Sequence, residues 1–144
     1  MIEEDTVKIL KECDSGIKMG VESIDEILDY VKDEKMKQLL EDSKDHHSLL
    51  RKDLQQLLDK YHDEGKNPNP VAKGMSWLKT NVKLTVNESD ETVADLMVDG
   101  CNMGVKSLSK YLNQYKAADE KSKNIAKKLI KIEDDLSVSM RSYL

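Results

Sequence analysis

Residues 16–23 read GIKMGVES and residues 100–107 read GCNMGVKS, so five of the eight positions are identical between the two stretches. The stretches lie 84 positions apart, and the apolar residues that follow each of them stay in register at that offset. Further along, DEK at 33–35 recurs at 119–121, an offset of 86, and apolar positions again correspond. Self-similarity at a fixed offset is typical of a repeated supersecondary unit. We therefore interpret the chain as one helical hairpin that occurs twice.

Composition and periodicity both predict an all-α protein. The 144 residues suit one domain, and a chain with 35% charged residues, two prolines and no phenylalanine favours helix. Apolar residues recur with the helical period in four stretches, which are 5–32, 33–62, 89–116 and 119–144. Asp33, Ser89 and Asp119 precede helical stretches and are predicted N-caps, because their short side chains accept hydrogen bonds from the first turn.

The connection between the two hairpins is long and contains both prolines. We predict a single domain over 1–144, with hairpin 1 at 5–63, a crossover at 64–88 and hairpin 2 at 89–144. A short crossing helix is expected within the crossover, around Trp77. A long crossover allows the second and third helices to lie parallel, which a pseudo-twofold relation between two hairpins requires.

Each repeat carries two glycines one helical turn apart, and these are Gly16, Gly20, Gly100 and Gly104. A glycine in mid-helix costs about 1 kcal/mol relative to alanine. Such a cost is tolerated where two backbones approach closely, so we expect the first and third helices to touch at these residues. The alternative interpretation is that the glycines leave room for a ligand.

Charge and targeting signals narrow the range of partners. A net charge of −5 with interspersed signs argues against nucleic acid, and no apolar run is long enough for a membrane span. The N-terminus lacks the pattern of a secretory signal, and Cys13 and Cys101 belong to no C-x-x-C pair. We therefore expect a cytoplasmic protein without disulfides. We expect a homo-oligomer or a protein partner, with the segment around Trp77 as the contact edge.

Two duplicated helical hairpins joined by a long crossover resemble the ferritin-like superfamily of four-helix bundles. The chain is most similar to its small, uncharacterised bacterial domains of unknown function. In the di-iron members, helices one and three each supply a Glu, and helices two and four each supply Glu-x-x-His. The resemblance places the equivalent positions of this chain at Glu22, Lys106, Lys44, His47, Ile130 and Glu133.

Three of these six positions hold a possible ligand, namely Glu22, His47 and Glu133. A di-iron centre needs more carboxylates than this set supplies. We therefore expect no cofactor and no enzymatic activity, and predict a non-catalytic scaffold or interaction protein that has lost the di-iron ligand set. The alternative is a metal-binding or redox protein that holds iron, zinc or manganese with Glu22, His47 and Glu133.

Three further expectations concern individual side chains. Lys44 or Lys106 is expected to neutralise a carboxylate at the former metal position, since a buried charge needs a partner. His47 is expected to face the core with its polar atoms satisfied. Asp14 lies in an apolar stripe, where a carboxyl group either has a shifted pKa or remains in water. The sequence favours the second interpretation for Asp14 and a core role for Cys101.

Overall fold

The structure is a computed structural model that describes residues 2–67 and 89–144. The described residues form four long helices, which are α1 Ile2–Leu28, α2 Glu34–Lys60, α3 Asp90–Gln114 and α4 Glu120–Met140. A 3-10 turn, Arg141–Tyr143, follows α4. No strand occurs within the described ranges, so the predicted all-α four-helix bundle is confirmed. The crossing helix predicted around Trp77 lies outside the described residues.

Three of the helices begin at the predicted N-caps. The side-chain oxygen of each cap accepts a hydrogen bond from the backbone N–H three residues later. The distances are 2.9 Å for Asp33, 3.2 Å for Ser89 and 2.8 Å for Asp119. Each such bond satisfies a donor that the helix itself leaves unpaired and contributes about 1 kcal/mol.

Hydrogen bonds at one end of the bundle establish how the helices are oriented. The carboxylate of Asp90, at the start of α3, accepts from the backbone N–H groups of Lys32 and Asp33 at 2.8 and 3.0 Å. The hydroxyl of Tyr143, just after α4, donates to Asp33 at 2.8 Å. The starts of α2 and α3 therefore meet at the same end, and these two helices are parallel, as the long crossover predicts.

The opposite end is closed by bonds between the two hairpins. Asp5 accepts from the backbone N–H of Ala117 at 3.0 Å, and Thr6 accepts from that of Asp119 at 2.8 Å. The hydroxyl of Tyr61, just after α2, donates to the Asp119 carboxylate at 3.1 Å. The start of α1 thus lies beside the start of α4, and each hairpin is antiparallel.

The apolar core consists of two clusters, one towards each end of the bundle. The first includes Ile24, Ile27, Met36, Leu40, Val93, Cys101 and Met140. The second includes Ile9, Leu10, Ile17, Leu54, Leu58, Ala126 and Leu129. Cys101 is buried as predicted. None of the described helices combines the length and apolarity needed to cross a membrane.

The carboxylate of Asp14 is buried among charged partners, and the expectation that it remains in water is wrong. The residue is 1% exposed. Lys18 Nζ lies 2.7 Å from Oδ2, Arg51 Nε lies 3.5 Å from Oδ1, and the backbone N–H of Lys66 donates to Oδ2 at 3.1 Å. Gly65 has φ +84° and no Cβ that would collide with this carboxylate. Asp14 therefore joins α1 to α2 and to the segment that follows α2.

Candidate functional site

A pocket of about 240 Å³ opens between α1 and α3. The four paired glycines line it, and they are Gly16, Gly20, Gly100 and Gly104. Met19 and Met103 also line it and remain 37% and 67% exposed. Ser23 and Ser107 complete the set, so four of the five identical residues of the repeated octapeptide face the pocket in both copies. These four positions are spaced i, i+3, i+4 and i+7, which places them on one helical face.

A histidine and a glutamate meet at the floor of the pocket. His47 on α2 is 1% exposed, and its Nε2 lies 3.0 Å from Oε1 of Glu133 on α4. The other ring nitrogen, Nδ1, lies 2.7 Å from the backbone carbonyl of Ser43. A carbonyl oxygen only accepts, so Nδ1 carries a proton. A second proton must then lie between Nε2 and the carboxylate, which makes the pair an imidazolium–carboxylate contact or its proton-transferred equivalent.

The surroundings of His47 favour its protonated form. Burial is the largest single influence and lowers the pKa of the imidazole. The hydrogen bond and charge of Glu133, together with the bond to the Ser43 carbonyl, outweigh burial and raise the pKa of His47 above its usual 6.5. The prediction of an inward, satisfied histidine is therefore confirmed.

A pH dependence of stability follows from this pair. Below about pH 6.5, His47 is protonated in both folded and unfolded chains, and the contact with Glu133 stabilises the fold fully. As the pH rises above 6.5 the unfolded chain releases its proton first, so the free energy of unfolding falls until the raised folded pKa is passed. Urea unfolding between pH 6 and 8 measures this slope. His47→Gln should flatten it, and an unchanged slope in that variant would assign the titration to another group.

Cys101 is the third polar group at the floor. It is buried and lines the pocket. Burial raises the pKa of its thiol, and the charge and hydrogen-bond acceptance of Glu133 raise it further. Burial also raises the pKa of Cys13 to about 12. Both thiols therefore stay protonated at neutral pH, and neither is a ready nucleophile.

A second carboxylate, that of Glu12, also lines the pocket. Lys66 Nζ contacts it at 2.6 Å, and Tyr111, another lining residue, hydrogen-bonds to it. Sequence reasoning did not identify Glu12 or Tyr111 as part of a site. The sequence did contain a signal for Glu12, because this residue lies one helical turn before Gly16 on the same face of the helix.

The glycines lie against side chains of α2 and α4. The prediction that the α1 and α3 backbones touch at these residues is therefore wrong. A Cβ added at Gly20 would lie 2.8 Å from Nε2 of His47. One added at Gly104 would lie 3.4 Å from Oε2 of Glu133, and one at Gly16 would lie 3.5 Å from a leucine side chain of α4. The absent side chains thus leave space for the His–Glu pair and for the pocket beside it.

Alanine substitutions distinguish these glycines. Gly20→Ala should lower the free energy of unfolding by about 1–2 kcal/mol, because the new methyl group displaces the His47 ring from Glu133. Gly16→Ala is the matched control, since its methyl group meets only an ordinary contact and alanine is the better helix former by about 1 kcal/mol. Urea unfolding of both variants should therefore show opposite signs. Equal stabilisation by both would refute the close approach of His47 to Gly20.

The structure brings together two of the three residues predicted to bind a metal. His47 and Glu133 are in contact, whereas Glu22 lines a separate groove with Lys18 and Arg51, on the α1 face that meets α2. Within 2–67 and 89–144, no three His, Cys, Asp or Glu side chains are placed to hold a metal ion. The predicted Glu22–His47–Glu133 set is therefore not assembled.

The lysines do not neutralise Glu133, contrary to the expectation for this position. Lys44 Nζ pairs with Asp25 at 2.5 Å, and Lys106 is exposed. The partner of Glu133 is His47, which lies 86 residues earlier, at the same offset that relates DEK at 33–35 to DEK at 119–121. Two positions related by this sequence offset thus meet at the floor of the pocket.

Comparison of the chain with protein-family models, with curated proteins and with solved structures found no match.

Proposed function

We propose that this chain is a non-catalytic, ferritin-like bundle without the di-iron ligand set, and that it binds a small organic molecule in the pocket between α1 and α3. The observation that carries the proposal is the lining of the pocket. Four of the five identical residues of the repeated octapeptide face it in both copies, and the glycines and serines among them leave the space open. A cavity lined by apolar groups with a few convergent polar groups is the usual form of a ligand site.

The polar groups at the floor support binding rather than catalysis. Both ring nitrogens of His47 are occupied by protein groups, so the imidazole has no free site for proton exchange with a substrate. The thiol of Cys101 has a raised pKa and stays protonated. An activated nucleophile needs an adjacent base that can accept its proton, and here the nearest carboxylate already shares one.

The ferritin-like assignment is supported by the parallel α2 and α3 and by the antiparallel hairpins. A di-iron centre does not fit the described residues, because only His47 and Glu133 converge. Binding of a single iron, zinc or manganese ion remains the alternative prediction. Elemental analysis after incubation with each metal and dialysis tests it, and a stoichiometric metal that disappears in Glu133→Ala would support it.

Self-association also remains a prediction. Its expected contact edge around Trp77 lies outside the described residues. Exposed apolar side chains elsewhere, at Met103 and Leu49, offer further surface for a second copy or another protein. Sedimentation velocity over a range of concentrations tests this, and a monomer at every concentration would count against it.

Ligand binding is tested with benzyl alcohol, a neutral probe with one ring and one hydroxyl group. Titration followed by two-dimensional NMR of the full chain should shift amide signals of α1 and α3 around the glycines. Ser107→Phe should abolish these shifts, because Ser107 lines the pocket and a phenyl group there fills it. Ser48→Phe is the matched control, since Ser48 is also an exposed helical serine but lies on α2, outside this pocket.

Two outcomes would contradict the proposal. One is the absence of shifts at millimolar benzyl alcohol. The other is the persistence of the same shifts in Ser107→Phe, which would place the bound probe elsewhere on the chain.

A further inference from the structure

We propose that the ligand of this pocket is a small organic cation, namely a protonated amine or amidinium on an apolar body about the size of one ring. This inference rests on the proposed function, because it assigns the chemistry of the ligand that the same pocket takes.

The charges that line the pocket are complementary to a cation. Its lining includes the carboxylates of Glu12 and Glu133, whereas none of the described lining residues is a lysine or an arginine. Among the described lining residues, the only group with a cationic form is His47, and its extra proton is shared with Glu133. Lys66 lies outside the lining and is paired with Glu12 at 2.6 Å. An anion in the pocket would therefore meet carboxylate oxygens and compete with them for cations that are already paired, which is unfavourable in a site of low polarity.

Glu133 is placed to bind the charged head of such a ligand. Its Oε1 is used by His47, while its Oε2 lies on the α3 side, 3.4 Å from the Cβ position of Gly104. The side chain is 13% exposed and forms part of the lining, so the carboxylate is accessible from the cavity. A hydrogen bond from an ammonium or amidinium group to a carboxylate is roughly twice as strong as a neutral one.

The rest of the pocket fits an apolar body of limited size. Its apolar lining consists of Met19, Ile24, Met97, Met103, Leu108, Leu129 and Leu136. A dry cavity of roughly 150 Å³ is enough to bind benzene. The volume of about 240 Å³ therefore holds one ring with a polar substituent. Thioethers also make favourable contacts with ring edges, which suits Met19 and Met103 at the mouth.

Benzamidine, benzamide and benzoate form a matched series, because they share one ring and similar shape but carry charges of plus one, zero and minus one. Isothermal titration calorimetry at pH 7 should give a dissociation constant for benzamidine at least tenfold lower than for benzamide. Benzoate should bind most weakly. Glu133→Gln should remove the preference for benzamidine over benzamide, while the distant exposed variant Glu91→Gln should keep it.

A second pair of variants tests the same charge effect without altering the buried pair. Ser107 is exposed on α3 and lines the pocket, so both Lys and Gln are tolerated there by the fold. Ser107→Lys should weaken benzamidine binding at least tenfold and improve benzoate binding, because it places a positive charge at the mouth. Ser107→Gln should change neither by more than about twofold.

The outcomes separate this inference from the proposed function. Equal binding of all three probes, lost in Ser107→Phe, would overturn the preference for a cation and leave the small-molecule site intact. If benzoate bound more tightly than the other two probes, the preference for a cation would also be overturned, and the small-molecule site would stand. Binding of none of the three probes, and none of benzyl alcohol, would overturn both. Benzamidine binding that persists in Ser107→Lys and in Ser107→Phe would assign the cation to a surface carboxylate and reject the pocket.

Discussion

Asp14→Ala is expected to lower the free energy of unfolding by about 3 kcal/mol. Breaking a buried ion pair by removing one partner costs about 3–5 kcal/mol when the remaining charge stays buried. Here the cost lies at the lower end, because Lys18 and Arg51 are partly exposed and can turn to water. The backbone N–H of Lys66 loses its acceptor as well, which releases the segment after α2 from α1.

Urea unfolding measures the change, with Asp135→Ala as the control. Asp135 forms an exposed ion pair with Lys131 at 3.0 Å, and such pairs are worth at most about 1 kcal/mol. Hydrogen exchange adds a local readout, because the amide of Lys66 should lose protection in Asp14→Ala but not in the control. A change below about 1 kcal/mol would show that the buried carboxylate contributes little to stability.

The environment of Asp14 also marks a limit of prediction from the sequence. The helical periodicity of the sequence placed Asp14 within an apolar stripe. The neighbouring residues in the sequence then favoured a carboxyl group exposed to water. Its partners come from three separate places in the chain, since Lys18 lies on α1, Arg51 on α2 and Lys66 in the following segment. A local pattern carries no information on which distant groups reach a buried charge.

The helices themselves were predictable because their signals are local. The N-caps at Asp33, Ser89 and Asp119 precede helical periodicity, and the structure places each helix start within one residue of the prediction. Helix ends were less accurate, and α1 stops at Leu28, four residues before the predicted end at 32. Ends lack a comparably strong side-chain signal in this chain.

The glycines show how a correct pattern led to an incomplete interpretation. Their spacing identified one face of α1 and one of α3, and symmetry favoured contact between the two helices. The structure places His47 and Glu133 against Gly20 and Gly104. Which side chain fills the space beside a glycine depends on the rotation of α2 and α4, and small rotations are not encoded in the periodicity of a single helix.

The His47–Glu133 pair should give the second large effect on stability, and its two members should be strongly coupled. His47→Leu and Glu133→Leu are each expected to lower the free energy of unfolding by about 2–3 kcal/mol, because each leaves a polar group without its partner inside the bundle. Leucine keeps a similar volume, so the loss reflects the missing contact more than a cavity.

The double variant His47→Leu/Glu133→Leu should be more stable than the sum of the single changes predicts, by at least about 1 kcal/mol. With both partners apolar, no charge remains buried, and replacement of a buried ion pair by apolar groups is often nearly neutral. A double-mutant cycle by urea unfolding at pH 6.5 measures this coupling. Additive losses would mean that each residue acts through its own packing. Strong coupling would mean that His47 and Glu133 stabilise the bundle as one unit.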